Sequence, residues 1–248
     1  MGAGLSKEDA HAKVFVLDSR GLLIEGRSVE AYKQPFVQPK TRVADWKTES
    51  GTPDLLETVI HGGATVLLGL SGQPGAFDEP VVRACAANCE RPIVFPLSNP
   101  TTSSEAHPAE VLAWTDGKAR VATGSPFGDV RYEGKTQIVG QGNNAFIFPG
   151  LGMGAILADA KKVTDGMVRA AAYALAAYTK ERYTTERRIY PPVSDLQETS
   201  RRVAAAVILA AIEDGVAQKA NLPSTPEAVR AYVEERFWKP EYLPFVGG

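Results

Sequence analysis

Neither sign of charge is in excess in this chain of 248 residues, where 27 basic side chains stand against 29 acidic ones. No basic run interleaves with aromatic residues, so nucleic acid and anionic membrane are poor partners and a small molecule is the better ligand. Long apolar runs are missing too. None approaches the roughly twenty residues that span a bilayer, and the N-terminus lacks a basic-then-apolar signal, which makes a cytoplasmic location the default expectation. Cys85 and Cys89 are the only cysteines; they lie four apart on an expected helix with no paired His nearby. That spacing argues against zinc and for small packing residues that face a sheet. What the chain has is 44% hydrophobic residues, enough to bury a sizeable core in one large or two small domains.

The apolar segments share one punctuation. Ile93 to Leu97 is a short run with β-branched and aromatic members, the pattern of a strand covered on both faces, and it stops at Ser98-Asn99-Pro100, where proline cannot continue a ladder. Thr65 to Leu70 runs into Ser71-Gly72-Gln73-Pro74-Gly75, and Ala119 to Ala122 runs into Thr123-Gly124-Ser125-Pro126. Gly140-Gln-Gly-Asn143-Asn144 stands before another apolar run. One such turn is only an ordinary strand-to-helix connection. Four at one edge of a sheet suggest backbone N–H groups and amides presented to a ligand, because ligands of open α/β sheets bind at the C-terminal ends of the strands. Ser71, Gly72, Ser98 and Asn99 stand at such ends.

Earlier in the chain, Lys13-Val-Phe-Val-Leu-Asp18 reads as a buried strand that ends in a carboxylate, with Ser19-Arg20-Gly21 turning the chain. An acidic residue there can hydrogen-bond an adenine-side ribose, a nearby Arg can hold a 2′-phosphate, or Asp18 can merely cap a turn. Leu22 to Arg27 can add a short antiparallel piece. Residues 28 to 50 are polar, with Pro35 and Pro39, and are expected to hold at most one helical turn. Thr52 and Pro53 announce a helix that ends at His61-Gly62-Gly63, which makes His61 a last-turn residue rather than a ligand. Further helices are expected over 78–89 and over about 104–114, with His107 near the exposed start of the latter. Strands alternating with helices of this length imply parallel βαβ units. From Asn143 onward the chain turns helical, with helices over 164–180, 192–217 and 226–238. Gly150-Leu-Gly-Met-Gly154 lacks the preceding strand of a phosphate loop; its glycines imply close packing on a ligand crevice or on a neighbouring helix. The expected fold is α/β, a Rossmann-like doubly wound parallel sheet followed by a helical C-terminal region, with the domains at 1–150 and 151–248.

The Gly-x-Gly-x-x-Gly fingerprint of a dinucleotide fold is absent. Met1-Gly-Ala-Gly4 follows no strand, precedes Asp18 by too little, and has Lys7 where the third glycine should stand. The first strand of the usual order lies mid-sheet, so its loss predicts unpaired backbone on either side and a chain that is the C-terminal part of a longer protein.

Val16-Leu-Asp-Ser-Arg-Gly-Leu-Leu-Ile-Glu-Gly-Arg27, Glu90-Arg-Pro-Ile-Val-Phe-Pro-Leu-Ser-Asn-Pro-Thr101, Ala122-Thr-Gly-Ser-Pro-Phe-Gly128, Gly140-Gln-Gly-Asn-Asn144 with Phe148-Pro-Gly150, and Tyr190-Pro-Pro192 closely resemble, in this order, the C-terminal half of malic enzymes. The resemblance runs from about residue 5 to residue 243. It implies oxidative decarboxylation of L-malate to pyruvate and CO2 with reduction of NADP or NAD, assisted by Mg2+ or Mn2+, in a homo-oligomer. Carried over by motif, it implies that Asn99 contacts substrate and the nicotinamide end of the cofactor. Asn143 and Asn144 would reach the substrate carboxylate and the nicotinamide ribose or amide. Asp18 becomes the ribose-binding carboxylate, and Ser19, Arg20 and Lys33 resemble the NADP-preferring members, so NADP is favoured and NAD comes second. Ser71 and Gly72 join the cofactor-binding set by their place at a strand end. The family's general acid tyrosine, general base lysine, substrate arginine and acidic metal ligands precede the region matched, so no catalytic or metal residue is expected in this chain and the isolated chain should be inactive. Malolactic enzyme, or a non-catalytic nucleotide-binding or assembly module, are the alternatives.

Overall fold

The computed structural model describes residues 4–49, 51–186, 188–238 and 242. The chain divides into two compact units, Met1–Gly142 and Asn143–Gly248.

In the first unit, helix α1 (Lys7–Ala12) is capped by the Ser6 side chain, which accepts from the Asp9 N–H. The expected strand over 13–18 is reduced to β1 (Leu17–Asp18), which pairs antiparallel with β2 (Gly21–Leu22) in a sheet of its own. Among the described residues no other strand lies beside β1, and Gly21 at φ 89° turns the chain back within two residues, so the hairpin takes the pairing that a larger sheet would use. The 28–50 loop carries more helix than expected. A 3-10 segment, Ala31–Phe36, and α2 (Lys40–Val43) both form there, and Gln38 between them is buried, its amide donating to the His11 and Val14 carbonyls.

α3 (Leu55–Gly62) starts later than Thr52 and Pro53 suggest. Asp54 is the N-cap in a reciprocal capping box with Glu57, which satisfies two N–H groups that Thr52 would leave open, and Gly63 ends the helix at φ 63°. There follow β3 (Val66–Gly69), α4 (Glu79–Asn88) capped by Asp78, β4 (Ile93–Pro96), α5 (Pro108–Trp114) and β5 (Arg120–Thr123). A hairpin of β6 (Val130–Tyr132) and β7 (Lys135–Gln137) precedes β8 (Gly140–Gln141). The main sheet has the order β3-β4-β5-β8 and is parallel throughout, in register from Val66 opposite Ile93 to Gly69 opposite Pro96. The fold is Rossmann-like α/β, followed by a helical region. Val59 of α3, Val82 and Cys85 of α4, Val94 of β4, Val111 of α5 and Val121 of β5 form one core. Each such valine contributes roughly 1.5–3 kcal/mol by leaving water. Cys85 is part of that packing, and burial pushes its thiol up to about 12. The face of β3 away from this core is open, with Val66 49%, Leu68 56% and Leu70 72% exposed.

In the second unit the chain forms α6 (Phe148–Leu157), α7 (Asp165–Tyr183), α8 (Leu196–Glu213) and α9 (Pro226–Arg236). The threonines Thr164 and Thr225 cap α7 and α9 by accepting from N–H groups of the first turn. Val203, Val207, Ile208 and Ala211 of α8 are fully buried as their helical spacing implies, together with Val229 and Val233 of α9, while Ile212 lies at the margin, 36% exposed. Gly150 and Gly154 settle where the glycines of α6 pack. A Cβ at Gly150 would stand 2.6 Å from the Cβ of Val203, and one at Gly154 2.7 Å from that of Val207, so these glycines meet the neighbouring helix α8. The hydroxyls of Tyr178 and Tyr183 both donate to Asp195 Oδ2 and tie α7 to the start of α8.

Candidate functional site

Asp18 ends β1 beside a turn of small and basic residues. The Arg20 N–H donates to Asp18 Oδ1 at 2.9 Å, and Arg27 Nη2 donates to both carboxylate oxygens at 2.6 and 2.8 Å. Arg27 is itself fixed, since its Nη1 donates to the Gly21 and Leu22 carbonyls at 2.9 and 2.6 Å. The hydrogen bonds from Arg27 hold the Asp18 carboxyl below the usual carboxylate range, so it is ionised at neutral pH. Ser19 and Arg20 stand exposed at the same turn, with Arg20 Nη2 3.7 Å from Asp18 Oδ2. Lys33 is placed differently: its Nζ pairs with Glu30 at 2.9 Å. An ionised carboxylate at a strand end, with cations on one side, fits a ribose diol as acceptor.

Ser71 and Gly72 follow β3, and Ser98 and Asn99 follow β4. Expected to present bare N–H groups, these two turns spend them on a buried carboxylate. Glu105 is 0% exposed. Its Oε1 accepts from the Ser71 N–H at 2.9 Å, the Ser71 hydroxyl at 2.9 Å, the Gly72 N–H at 3.3 Å and the Ser98 hydroxyl at 2.5 Å. Oε2 accepts from the Ser98 N–H at 3.3 Å. The Gly72 N–H also donates to Ser98 Oγ at 2.8 Å, and the Gln73 N–H to Ser71 Oγ at 3.2 Å. Burial alone would raise the Glu105 pKa, but the hydrogen bonds from Ser98 and Ser71 outweigh it and keep the carboxyl below its ordinary value. Glu105 also moves the start of α5. Ser104 and Glu105 lie ahead of the helix, His107 is its N-cap through Nδ1, which accepts from the Ala109 N–H, and Pro108 takes the first helical position.

Asn99 is exposed at the end of the β4 turn, and its peptide bond to Pro100 is cis. Asn99 Oδ1 accepts from the Ser125 hydroxyl at 2.5 Å and its Nδ2 donates to the Leu97 carbonyl at 3.3 Å, which sets which end of the amide is which. One Nδ2 hydrogen then remains as the donor Asn99 has for a ligand. Gly124 lets the two turns approach: a Cβ there would lie 2.0 Å from the Leu97 carbonyl oxygen and 2.9 Å from Asn99 Nδ2. In the second unit, Asn143 Oδ1 accepts from the Ala145 N–H at 2.9 Å and opens a short 3-10 turn, Asn144–Phe146, while Asn144 is exposed.

Three residues here carry no role from sequence alone. Arg27 ends a motif whose Asp it neutralises across a hairpin, Glu105 looks like the start of a helix, and Ser125 looks like part of a turn. Hydroxyls facing one another at the ends of adjacent strands are the signal that could have pointed to Glu105. Among the described residues no group of three or more His, Cys, Asp or Glu side chains could hold a metal ion, and no helix is long and apolar enough to cross a membrane. His61 closes the last turn of α3 and stacks on Trp46 with ring centroids 5.5 Å apart.

A parallel sheet whose C-terminal turns carry polar residues, preceded by a hairpin with an ionised aspartate, defines a Rossmann-like domain. The family model described as malic enzyme, NAD binding domain, matches residues 1–212, and the chain belongs to that family. It is 43% identical over 240 residues to the NAD-dependent malic enzyme of Acinetobacter baylyi, covering 96% of this chain and 42% of that protein. The NAD-dependent malic enzyme of Pseudomonas syringae pv. tomato is 43% identical over 244 residues, with 98% and 43% covered. Among solved structures, the malic enzyme of Entamoeba histolytica superposes with a TM-score of 0.67 at 29% identity, over 90% of this chain and 41% of that one. The malic enzyme of Pyrococcus horikoshii gives a TM-score of 0.63 at 25% identity, over 90% and 46%. The chain thus spans about two-fifths of the length of the curated relatives it matches.

Proposed function

We propose that this chain is the nucleotide-binding portion of a malic enzyme, acting in the oxidative decarboxylation of L-malate to pyruvate and CO2 with NAD as the hydride acceptor. The observation that carries this reading is the family match over residues 1–212. Asp18 accepts from the adenine-side ribose, and Ser19 and Arg20 flank it. Asn99 of the first unit offers a neutral amide to the substrate and the nicotinamide end, and Asn143 and Asn144 of the second unit offer neutral amides of their own. Such donors hold a dicarboxylate without adding a cation against the ring that takes up positive charge when oxidised. NAD rather than the NADP favoured from sequence is supported by the names of the relatives and by Lys33, whose ammonium is engaged with Glu30. An ionised Asp18 also opposes a phosphate dianion.

The metal ion and the proton-transfer groups belong, in this reading, to a part of the enzyme outside this chain, which is supported by the share of the relatives that is matched. β3 stands at one end of the sheet order β3-β4-β5-β8, and in this reading that edge is where the other part of the enzyme supplies a strand. Assembly into a homo-oligomer and a cytoplasmic location belong to the same proposal.

Calorimetric titration of the chain with NADH and with NADPH, without substrate, tests it. NADH should bind, at least tenfold more tightly than NADPH. Tighter NADPH binding would overturn the cofactor choice, and no binding of either would overturn nucleotide binding by these residues. Decarboxylation of malate by the purified chain would overturn the division of labour.

A further inference from the structure

Glu105 is the largest investment of polar groups in the first unit that the proposed function does not use. It is fully buried, no cation among the described residues pairs with it, and its carboxylate is satisfied by donors from two turns that are far apart in sequence. A buried charge of this kind is tolerated only where its hydrogen bonds are complete, and it makes the groups that complete them rigid. From the other side Gly69 leaves no slack: a Cβ there would lie 2.6 Å from both Glu105 Cδ and Glu105 Oε2. The Phe77 N–H donates to the Glu105 carbonyl at 2.9 Å, so the backbone of the residue is held as well as its side chain.

We propose that Glu105 is a positioning residue that locks the Ser71–Gly72 and Ser98–Asn99 turns to each other, and so sets what a nucleotide meets at the C-terminal ends of β3 and β4. The proposal rests on the nucleotide-binding reading and deepens it. One consequence separates it from an anion-binding turn. The Ser71, Gly72 and Ser98 N–H groups face inward to a carboxylate, so a ligand phosphate does not dock on them; the ligand contacts the outer surface of the turns, the Asn99 amide included. Asn99 is joined to Ser98 directly, and its amide is oriented by Ser125, so a movement of Ser98 is felt at the donor that meets the ligand.

Two variants reach the same carboxylate by different routes. Glu105→Gln keeps the shape and the Oε1 acceptor but removes the charge and sets an amino group against the Ser98 N–H. Gly69→Ala keeps the charge and displaces the carboxylate. In the wild-type chain the amide proton of Ser71, 2.9 Å from the carboxylate, should resonate downfield in a 1H–15N spectrum, as charge-assisted donors do, and both variants should move the Ser71, Gly72 and Ser98 resonances together. NADH affinity should fall about tenfold or more in both, while the melting temperature of at least one stays close to that of the wild type. Unchanged resonances in both variants would overturn the lock. Wild-type affinity for NADH in a variant whose three resonances have moved would overturn the positioning role and leave the nucleotide reading intact. Failure of the wild-type chain to bind NADH would overturn the nucleotide reading and, with it, the ligand-facing half of the proposal, while the resonances still decide the lock.

Discussion

Valine at position 154 should destabilise the helical unit by about 3 kcal/mol, the upper part of the range for overpacked cores, whereas alanine at position 152, two residues away on the same helix, should stabilise it by about 0.5–1 kcal/mol. The opposite signs follow from which side of α6 faces α8. A Cβ at Gly154 would lie 2.7 Å from the Val207 Cβ and 2.8 Å from the Ala204 carbonyl oxygen, and one at Gly150 2.6 Å from Val203 and 2.7 Å from the Ser200 carbonyl oxygen. Carbonyl oxygens of a helix cannot swing aside as a flexible side chain does, so the helices would have to separate, and their shared core would open. Val203, Val207 and Ala204 are all fully buried, which means the separation exposes apolar surface as well as straining contacts. At Gly152 nothing lies within 4 Å of the added methyl, so the gain in helix propensity is all that remains. Urea denaturation followed by amide exchange over α6 and α8 measures both. If the two substitutions shift protection in the same direction, close approach of α6 and α8 is not what these glycines are for.

β8, Gly140–Gln141, has no apolar run of its own, but the other three strands of the parallel sheet, β3, β4 and β5, were legible because each is a short apolar run that ends in glycine or small polar residues, and period and punctuation are local signals. The same holds for α7, α8 and α9, whose apolar positions recur at helical spacing. The hairpin of β1 and β2 was partly legible: the turn at Ser19-Arg20-Gly21 and an antiparallel piece from Leu22 were expected, but Lys13 to Asp18 reads as a longer buried strand, and nothing within those six residues says that only Leu17 and Asp18 will pair. The site was half legible. Asp18, Ser19, Arg20, Ser71, Gly72 and Asn99 are readable as strand-end residues, but what holds them is not, since Arg27 meets Asp18 across nine residues and Glu105 meets Ser71 across 34. Polar pairings at such separations leave no periodic trace. Glu105 is disguised further, because Ser104-Glu105 followed by His107-Pro108 looks like the entry to a helix, and the difference between capping a helix and anchoring two loops lies only in where the carboxylate points.

Arg27→Ala is the other substitution with a large expected effect, about 2–4 kcal/mol of stability in the first unit. The Arg27 side chain is only 13% exposed and Asp18 22%, so its removal leaves a half-buried carboxylate without its bidentate partner and strips the Gly21 and Leu22 carbonyls of a charged donor. Arg20, 64% exposed and 3.7 Å away, is too solvated to replace it. The pH dependence supplies the sign. The Asp18 pKa is depressed in the folded chain, chiefly by the Arg27 hydrogen bonds, so the stability it contributes is present above the unfolded carboxylate value of about 4 and is lost as pH falls through the lower folded value. Wild-type and Arg27→Ala unfolding curves should therefore lie furthest apart at neutral pH and converge as pH drops below about 4. The nucleotide should report the same pair. With Arg27 gone, Asp18 is no longer held in one orientation and stands with less positive charge beside it, so NADH affinity should fall and NADPH affinity should fall further. A gap between the two unfolding curves that does not narrow on acidification would mean that Arg27 acts by packing its guanidinium against the hairpin carbonyls, and that the ionised aspartate at the end of β1 owes its charge to something else.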